Sequence, residues 1–412
     1  MEIEIREYNQ EKDKKACHRI WEEVGWLEKG KQDSIMDSFL ENCTVWVGLL
    51  NDEAEVMVAT APGNLQYLNE SLDFSGVMAV TTGRIARKQG LARRVTAHAV
   101  AQSALQGAVV SGLGIFEQGF YNLLGYGSGG YEHIIYFDPG DLKITRSCRQ
   151  PKRLTFDDYE KIHFSRMRRL KRHGAVSFQG AKLTKAEMLW AKNPFGLGYY
   201  DESGIELTHH IWISSKEGEH GPYHVCWMSY QNYDQFLELL ALLKSFSDQV
   251  RMVQMIEPAG IQMQDFLNYP FRYRINSERG KFENKMIASS WWQMRICNLE
   301  KAISATKIPD RKLDFNLIIQ DSIGDYLNSE SEWRGVNGEY QISIGEESWL
   351  KPGKSSALPT LVASVNAFTR LWLGVRPART LALSEEIRGP EKLLIDLEML
   401  FCLPQPRTDW EF

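Results

Sequence analysis

The first third of the chain switches repeatedly between the hydrophobic period of a strand and that of a helix. "EIEIREY" alternates apolar and polar residues as a half-buried strand does, whereas the next segment spaces Ala16, Ile20 and Val24 as a helix does. The predicted elements, in order, are strand 2–8, helix 11–26, a hairpin around 51–55, strand 75–82, helix 91–106, strand 108–116, a short helix at 117–124 and strand 131–137. This order predicts an α/β unit with a mixed sheet.

The pattern changes twice more along the chain. A segment rich in Pro, Gly and charge at 138–153 predicts a domain boundary, and strands and one apolar helix follow it up to about residue 290. From Met294 a strand and helix lead into meandering strands and two further helices. We therefore predict an α/β (α+β) chain of three domains, at 1–148, 149–293 and 294–412.

Composition agrees with three domains and restricts the class of protein. A chain of 412 residues exceeds one ordinary core, and 43% hydrophobic with 25% charged residues is typical of a soluble globular protein. A net charge of −5 gives no global reason for nucleic-acid binding. Six scattered cysteines without a Cys-x-x-Cys pair predict reduced thiols. The charged N-terminus and short apolar runs, such as "FLELLALL", predict neither a signal peptide nor a membrane span, hence a cytoplasmic protein.

The stretch "VTTGRIARKQGLARR" carries the most specific chemical signal. Its Arg87-x-x-Gly90-x-Ala92 pattern lies between a predicted strand and a predicted helix. Backbone N–H groups at a helix N-terminus, a glycine that permits close approach and nearby cations together suit an anion such as a pyrophosphate. The pattern lacks the Gly-Lys-Ser/Thr of a P-loop, and Gly125-x-Gly127-x-x-Gly130 precedes a strand rather than a helix. A capped surface helix is the alternative interpretation.

Arg-x-x-Gly-x-Ala after a strand resembles the coenzyme A pyrophosphate loop of GCN5-related N-acetyltransferases. Together with "IFEQGFYNLLGYG" at 115–127, it is similar to the enhanced intracellular survival (Eis) family of that group. The resemblance implies an active acetyltransferase domain, a second acetyltransferase-like domain that lacks a cofactor loop, and a C-terminal domain resembling sterol carrier protein. It further implies acetyl-CoA as co-substrate and no metal.

The resemblance also implies which residues contact the cofactor. Arg87 belongs to the general motif of the fold, and Gly83, Arg84 and Phe116 depart from the residues that are usual in the family. The implied cofactor contacts are Val80, Thr81, Thr82, Arg87, Lys88, Gln89, Gly90, Leu91, Ala92, Arg93, Phe116 and Glu117.

Acetyl transfer to an amine needs a base for the nucleophile and an acid for the leaving thiolate. A tyrosine (pKa about 10) and a thiol (about 8.5) are close enough for proton transfer. The family uses the tyrosine of its Gly-Tyr-Gly as acid, which is Tyr126 here, and the C-terminal carboxylate as base, which is that of Phe412. The glycines beside Tyr126 are equally typical of a plain turn.

Three further patterns have structural as well as functional interpretations. "SRMRRLKRH" at 165–173 is interpreted as a solvated helix face or subunit contact rather than a nucleic-acid site. His220, His224 and Cys226 lack an evident fourth ligand for zinc, and placement on a strand explains them. A third group of residues could line an acidic, aromatic pocket for cationic amines, or could lie on an exposed pair of amphipathic helices. These residues are Glu22, Glu23, Asp33, Asp37, Trp21 and Trp26.

The sequence therefore predicts an acetyl-CoA-dependent N-acetyltransferase that acts on primary amines. By resemblance, aminoglycoside-type or other cationic amines are the expected acceptors and a homo-oligomer, a hexamer, the expected assembly. Neither a nucleic-acid nor a membrane partner is expected. A non-catalytic acyl-CoA- or lipid-binding scaffold protein is the alternative function.

Overall fold

Three mixed sheets with helices packed on them make up the part of the chain that the computed structural model describes. The described residues are 4–28, 33–117, 119–215, 218–268, 280, 282–384 and 386–412. The strands are β1 (Ile5–Glu7), β2 (Thr44–Leu50), β3 (Glu53–Tyr67), β4 (Glu70–Thr82), β5 (Val110–Gly114), β6 (Gly127–Ser128), β7 (Glu132–Phe137), β8 (Lys152–Leu154), β9 (Val176–Phe178), β10 (Pro194–Tyr200), β11 (Leu207–Ser214), β12 (Tyr223–Ser229), β13 (Val253–Ile256), β14 (Lys285–Ser289), β15 (Trp292–Ile296), β16 (Leu313–Gln320), β17 (Gly338–Ile344), β18 (Trp349–Pro352), β19 (Thr360–Ser364) and β20 (Ile387–Arg388). The helices are α1 (Gln10–Glu23), α2 (Asp33–Leu40), α3 (Leu91–Leu105), α4 (Tyr159–Met167), α5 (Ala181–Trp190), α6 (Tyr233–Lys244), α7 (Leu299–Ser304), α8 (Val365–Trp372), α9 (Ala378–Ala382) and α10 (Glu391–Leu400).

The first sheet contains strands from all three predicted domains. Its order is β1-β2-β3-β4-β5-β15-β6, and β9 pairs with β3 beside this path. The predicted hairpin forms from β2 and β3, and its turn uses positive φ at Asn51 and Asp52, two residue types that tolerate this conformation. The predicted strand near Met294 forms as β15, but it pairs with β5 instead of joining the third sheet.

Two irregularities in β4 prepare the site. β4 and β5 pair in parallel only from Phe74↔Val110 to Val77↔Leu113, so β4 continues towards Thr82 with no partner on that side. On the other side, the register with β3 shifts, and two residues of β4, Ala79 and Val80, lie opposite Val58. Ala79 has φ +52°, so the strand bends at this bulge. The bulge and the divergence of the strands point backbone groups into an opening between β4 and β5.

The second sheet has the order β14-β7-β13-β12-β11-β10-β8. The strand predicted at 131–137 to complete the first unit does form, as β7, but it pairs with β13 and β14 of the second sheet. The long strand predicted from "GYYDESGIELTHHIWIS" is two strands, β10 and β11, joined by a turn in which Asp201 accepts backbone hydrogen bonds. β7 thus ties the first unit to the second.

The third sheet, in the order β18-β17-β16-β19-β20, packs with α8 and α10 around an apolar core. A fully buried ion pair joins it to the first sheet: Arg295 of β15 contacts Asp321, which follows β16, and also donates to the carbonyl of Leu124. Asp321 in turn accepts from the backbone N–H of Val336 (2.9 Å). The predicted domain limits at residues 148 and 293 remain predictions. The sheets do not end at these limits, because β7 pairs within the second sheet and β15 within the first.

Candidate active site

A cavity of about 1530 Å³ opens where β4 and β5 diverge. The walls come from the first sheet and α3, from α5 and β12 of the central part of the chain, and from five of the last six residues: Arg407, Asp409, Trp410, Glu411 and Phe412. The cavity therefore requires segments that lie hundreds of residues apart.

The predicted anion loop forms one end of this cavity. Lys88 (φ +61°) and Gly90 (φ +77°) both adopt left-handed backbone conformations, and α3 begins at the next residue, Leu91. A Cβ on Gly90 would meet no atom within 4 Å, so this glycine is required by its φ rather than by crowding. Residues 87–90 are exposed, and the N-terminus of α3 faces the opening. Helix-terminal N–H groups with Arg87 and Lys88 beside them suit a pyrophosphate.

Eleven of the twelve predicted cofactor residues line the cavity. They are Val80, Thr81, Thr82, Arg87, Lys88, Gly90, Leu91, Ala92, Arg93, Phe116 and Glu117. Gln89 instead turns its side-chain amide back onto the carbonyl of Ile85 (2.8 Å). Phe116 is 89% exposed, and the Arg93 guanidinium lies over the rings of Phe120 and Tyr326. Their contacts with a cofactor remain a prediction.

Tyr126 does not line the cavity. Its side chain is fully buried among apolar residues, and its hydroxyl hydrogen-bonds the hydroxyl of Ser111 (2.7 Å). Burial raises the pKa of Tyr126 far above that of a free tyrosine. The sequence prediction assigned the acid to this residue, but the structure places its hydroxyl behind the wall, in contact with β5.

Tyr121, five positions earlier, lines the cavity instead. The rings of Tyr121 and Tyr126 pack in a T-shaped arrangement, with their centroids 6.2 Å apart. Burial, and secondarily the nearby Glu117 carboxylate, raises the pKa of Tyr121 to about 12. Among the described residues its hydroxyl has no hydrogen-bond partner. The "FYNLLGYG" motif contains both tyrosines, and the assignment of the acid to Tyr126 stays a prediction.

Phe412 reaches the divergence point of β4 and β5. A Cβ built on Gly114, the last residue of β5, would lie 2.5 Å from a backbone oxygen of Phe412, so only glycine leaves room for it. The ring of Phe412 lies among those of Phe74, Phe178 and Trp291, with centroids 5.6–5.7 Å away. The predicted base is thus held within the cavity, more than 280 positions from Tyr121 in the sequence.

Carboxylates and indoles lie close together in one part of the cavity wall. Glu132 accepts from the indole N–H groups of Trp291 and Trp292 (both 2.9 Å), and Glu187 pairs with Arg166. Glu411 is solvent-accessible inside the cavity, but the surrounding protein, and then the proximity of Glu187 and Glu132, raise its pKa. Arg166 offsets part of this negative charge and opposes the rise in the pKa of Glu411.

The residues proposed for an acidic, aromatic pocket separate in the structure. Glu23 and Trp26 line the cavity, and Trp26 packs edge-on against Trp190 of α5. Trp21 is buried in the core, and Asp37 pairs with Lys14 on the surface. Glu22 is exposed outside the cavity, and the side chain of Asp33 lies outside the described part of the chain.

The basic stretch 165–173 turns two of its arginines inward. Arg166 and Arg169 are nearly fully buried and pair with Glu187 and Asp409, so they belong to the cavity wall rather than to a solvated helix face. His224 and Cys226 lie on β12, and no group of three or more candidate metal ligands occurs within the described ranges. No helix that the structure describes is long and apolar enough to cross a membrane.

Comparison with known proteins gives matches in structure but not in sequence. No family model matches the chain, and no curated protein sequence does. Three solved structures match over 100% of both chains: a probable N-acyltransferase from Enterococcus faecalis V583 (TM-score 0.81, 18% identity), a GCN5-related N-acetyltransferase from Anabaena variabilis (0.79, 14%) and Eis1 from Mycobacterium abscessus (0.76, 13%). The chain therefore has the fold of Eis-like GCN5-related N-acetyltransferases along its whole length.

Proposed function

We propose that the protein is an acetyl-CoA-dependent N-acetyltransferase that acts on primary amines. One observation carries the proposal: a single cavity brings together the anion loop before α3, the diverging end of β4, and the backbone carboxyl group of Phe412 over Gly114. This arrangement supplies a site for the pyrophosphate, a site for the acyl group and a base for the amine.

The first sheet and α3 would bind the co-substrate. Arg87, Lys88 and the N-terminal N–H groups of α3 would hold its pyrophosphate. The bulge at Ala79 and Val80 would turn backbone N–H groups towards the thioester carbonyl, where donors stabilise the negative charge that develops in acyl transfer. Acetyl-CoA supplies the activated acyl group.

Phe412 would act as the base. An α-carboxylate is weakly basic in water, but desolvation favours proton uptake by any carboxylate. The rings of Phe74, Phe178 and Trp291 limit water around Phe412, and further carboxylates lie in the same cavity. The carboxylate would accept the proton that the amine loses on attack.

Tyr121, rather than Tyr126, would act as the acid. With a pKa of about 12 its hydroxyl keeps its proton at neutral pH, and that hydroxyl has no protein partner among the described residues. Bound substrates would displace water from the thiolate, which would raise the pKa of the leaving thiol and so narrow its difference from the pKa of Tyr121. Tyr126 would support the turn through Ser111.

The acceptor would be a cationic amine, with aminoglycosides among the candidates. Glu411 and Glu187 attract positive charge, and the exposed faces of Trp26 and Trp190 offer stacking surfaces for a cation or an apolar ring. We also propose that the protein forms a homo-oligomer, a hexamer, because the chain resembles the Eis family. Binding of acetyl-CoA without turnover of any amine would favour the alternative scaffold function.

The test measures coenzyme A release with a panel of mono-, di- and polyamines, together with a matched pair of variants. Tyr121→Phe should lower kcat by about 10²-fold or more, the usual contribution of a general acid. Tyr126→Phe should keep kcat and lose only about 1 kcal/mol of stability with its Ser111 hydrogen bond. The reverse result would return the acid role to Tyr126, and full activity in both variants would refute a tyrosine acid.

A further inference from the structure

The last seven residues lie across the central part of the chain as an extended peptide. Every second side chain is buried: those of Pro406, Thr408 and Trp410. The backbone N–H of Val176 donates to the carbonyl of Thr408 (2.9 Å), and the N–H of Arg407 donates to the carbonyl of His173 (3.1 Å). Two backbone hydrogen bonds thus join the segment to His173 and to Val176, the first residue of β9.

Arg169 binds the acidic side chain of this segment. Its Nε and Nη2 donate to the two carboxylate oxygens of Asp409 at 2.9 and 2.6 Å. Its remaining donors bond the carbonyls of Arg166 and Val176 and the hydroxyl of Ser177. Because these acceptors fix the guanidinium group of Arg169, its paired N–H donors, called the Arg169 fork below, are preorganised to bind a carboxylate.

Arg166 packs on the indole ring of Trp410. Its guanidinium lies 3.6 Å from the ring centroid of Trp410 and 4.3 Å from that of Trp227, so it is sandwiched between two indoles. Glu187 pairs with Arg166 and also accepts from the indole N–H of Trp410 (2.8 Å). The ring is therefore held by both its face and its edge.

We propose that residues 163–187 form a peptide-recognition groove whose occupant is the segment Pro406–Phe412, and that Arg166 and Arg169 are positioning residues for the terminal carboxylate. The groove requires an acidic residue three positions before the end and an indole two positions before it. The effect of Arg166 and Arg169 on catalysis rests on the function proposed above, whereas the binding of Pro406–Phe412 to the groove does not.

The conformation of the segment supports recognition rather than general apolar packing. Asp409 has φ +47°, a left-handed conformation that aspartate tolerates better than most residues, and it turns the chain at this point. The Arg169 fork fixes the side chain of this residue, and the bend directs the next residues towards Gly114. Without Arg169, the side chain of Asp409 would lose both charged hydrogen bonds, and the end of the chain would no longer be held in place.

The principal experiment supplies the segment as a separate molecule. Protein truncated after Gln405, shown to be folded by circular dichroism and a cooperative melt, is titrated with fluorescein-labelled PRTDWEF. We expect saturable binding in fluorescence anisotropy and partial recovery of coenzyme A release. Replacement of Asp by Ala in the peptide should weaken binding at least about tenfold, as the loss of two charged hydrogen bonds predicts. Equal binding of the two peptides, or none by folded protein, overturns the proposal.

An amidated peptide separates this proposal from the catalytic one. PRTDWEF-amide keeps both anchoring residues but has no terminal carboxylate, so it should bind like the free acid and restore no activity. Binding of both peptides with recovery by both would leave the groove intact and refute the terminal base.

A full-length variant covers the case in which the truncated protein does not fold. Asp409→Ala should lower kcat at least about tenfold, leave the KM for acetyl-CoA unchanged, and speed the release of Phe412 by a carboxypeptidase by a similar factor. Asp248→Ala, at an exposed aspartate outside the cavity, is the matched control. If Asp409→Ala matches wild type in both kcat and carboxypeptidase release, the Arg169–Asp409 pair does not position the end of the chain.

Discussion

Gly114→Ala is the smallest change that should move the proposed base without disturbing the fold. Gly114 ends β5 opposite Trp292 of β15 and lies outside the positive-φ region, so alanine fits its backbone conformation. The added methyl carbon would stand 2.5 Å from a backbone oxygen of Phe412. A relaxed carbon–oxygen contact needs roughly 3.3 Å, so the carboxylate must withdraw by somewhat less than 1 Å.

The magnitude follows from that displacement. A misplacement of about 1 Å in a catalytic group costs up to about 10²-fold in rate, equivalent to roughly 2.7 kcal/mol of barrier. Crowding in a packed wall costs about 1–3 kcal/mol of stability, and the lower entropy of the unfolded alanine chain offsets about 0.4–1 kcal/mol of it. The protein should therefore remain folded while kcat falls about 30- to 100-fold at an unchanged KM for acetyl-CoA.

The assay is steady-state coenzyme A release over a range of acetyl-CoA concentrations, with thermal unfolding measured on the same samples. Gly140→Ala is the matched control, because its added carbon would meet nothing closer than 3.2 Å and the residue lies outside the cavity. A Gly114→Ala enzyme with wild-type kcat would show that the position of the Phe412 carboxylate does not matter, and the terminal-base mechanism would fail.

Three further predictions test the loop, the join between the sheets and the pH response. Gly90→Val forces a β-branched residue to φ +77° and should raise the KM for acetyl-CoA about tenfold while keeping kcat; an unchanged KM would remove the loop from the cofactor site. Asp321→Asn leaves Arg295 buried without its counter-charge and should lower the free energy of unfolding in urea by about 3–5 kcal/mol; a loss below about 1 kcal/mol would contradict this. Burial lowers the pKa of His210 to about 3, so the unfolded chain binds a proton there below about pH 6.5 that the folded protein does not, and stability is lost as the pH falls from 6.5 towards 3. His210→Gln should therefore reduce the slope of unfolding free energy against pH by about 1.4 kcal/mol per unit, and an unchanged slope would refute the assignment.

Local features of the site were predictable because neighbouring residues determine them. The strand before the loop, the loop at Arg87–Gly90 and the start of α3 follow from hydrophobic period, glycine and charge within one short stretch. The hairpin of β2 and β3 follows for the same reason.

The remaining features depend on pairings that no local pattern contains. β7 and β15 have ordinary strand patterns, but which sheet each joins is decided by partners that lie more than 100 residues away. Tyr121 and Tyr126 lie five positions apart in one motif, and only the tertiary packing determines that Tyr121 lines the cavity while Tyr126 bonds Ser111 of β5. Arg166 and Arg169 resemble surface cations in sequence, because Glu187 and Asp409 are not neighbours along the chain.

The insertion of β15 between β5 and β6 has a consequence for biosynthesis. About 180 residues separate the end of β5 from the start of β15, and at roughly 5–20 residues per second a ribosome needs on the order of ten to forty seconds to make them. During that interval one edge of β5 lacks its permanent neighbour, and an unpaired edge is open to pairing with other nascent chains. The part of the first sheet next to the anion loop therefore stays incomplete until a strand that is synthesised after the whole second sheet becomes available.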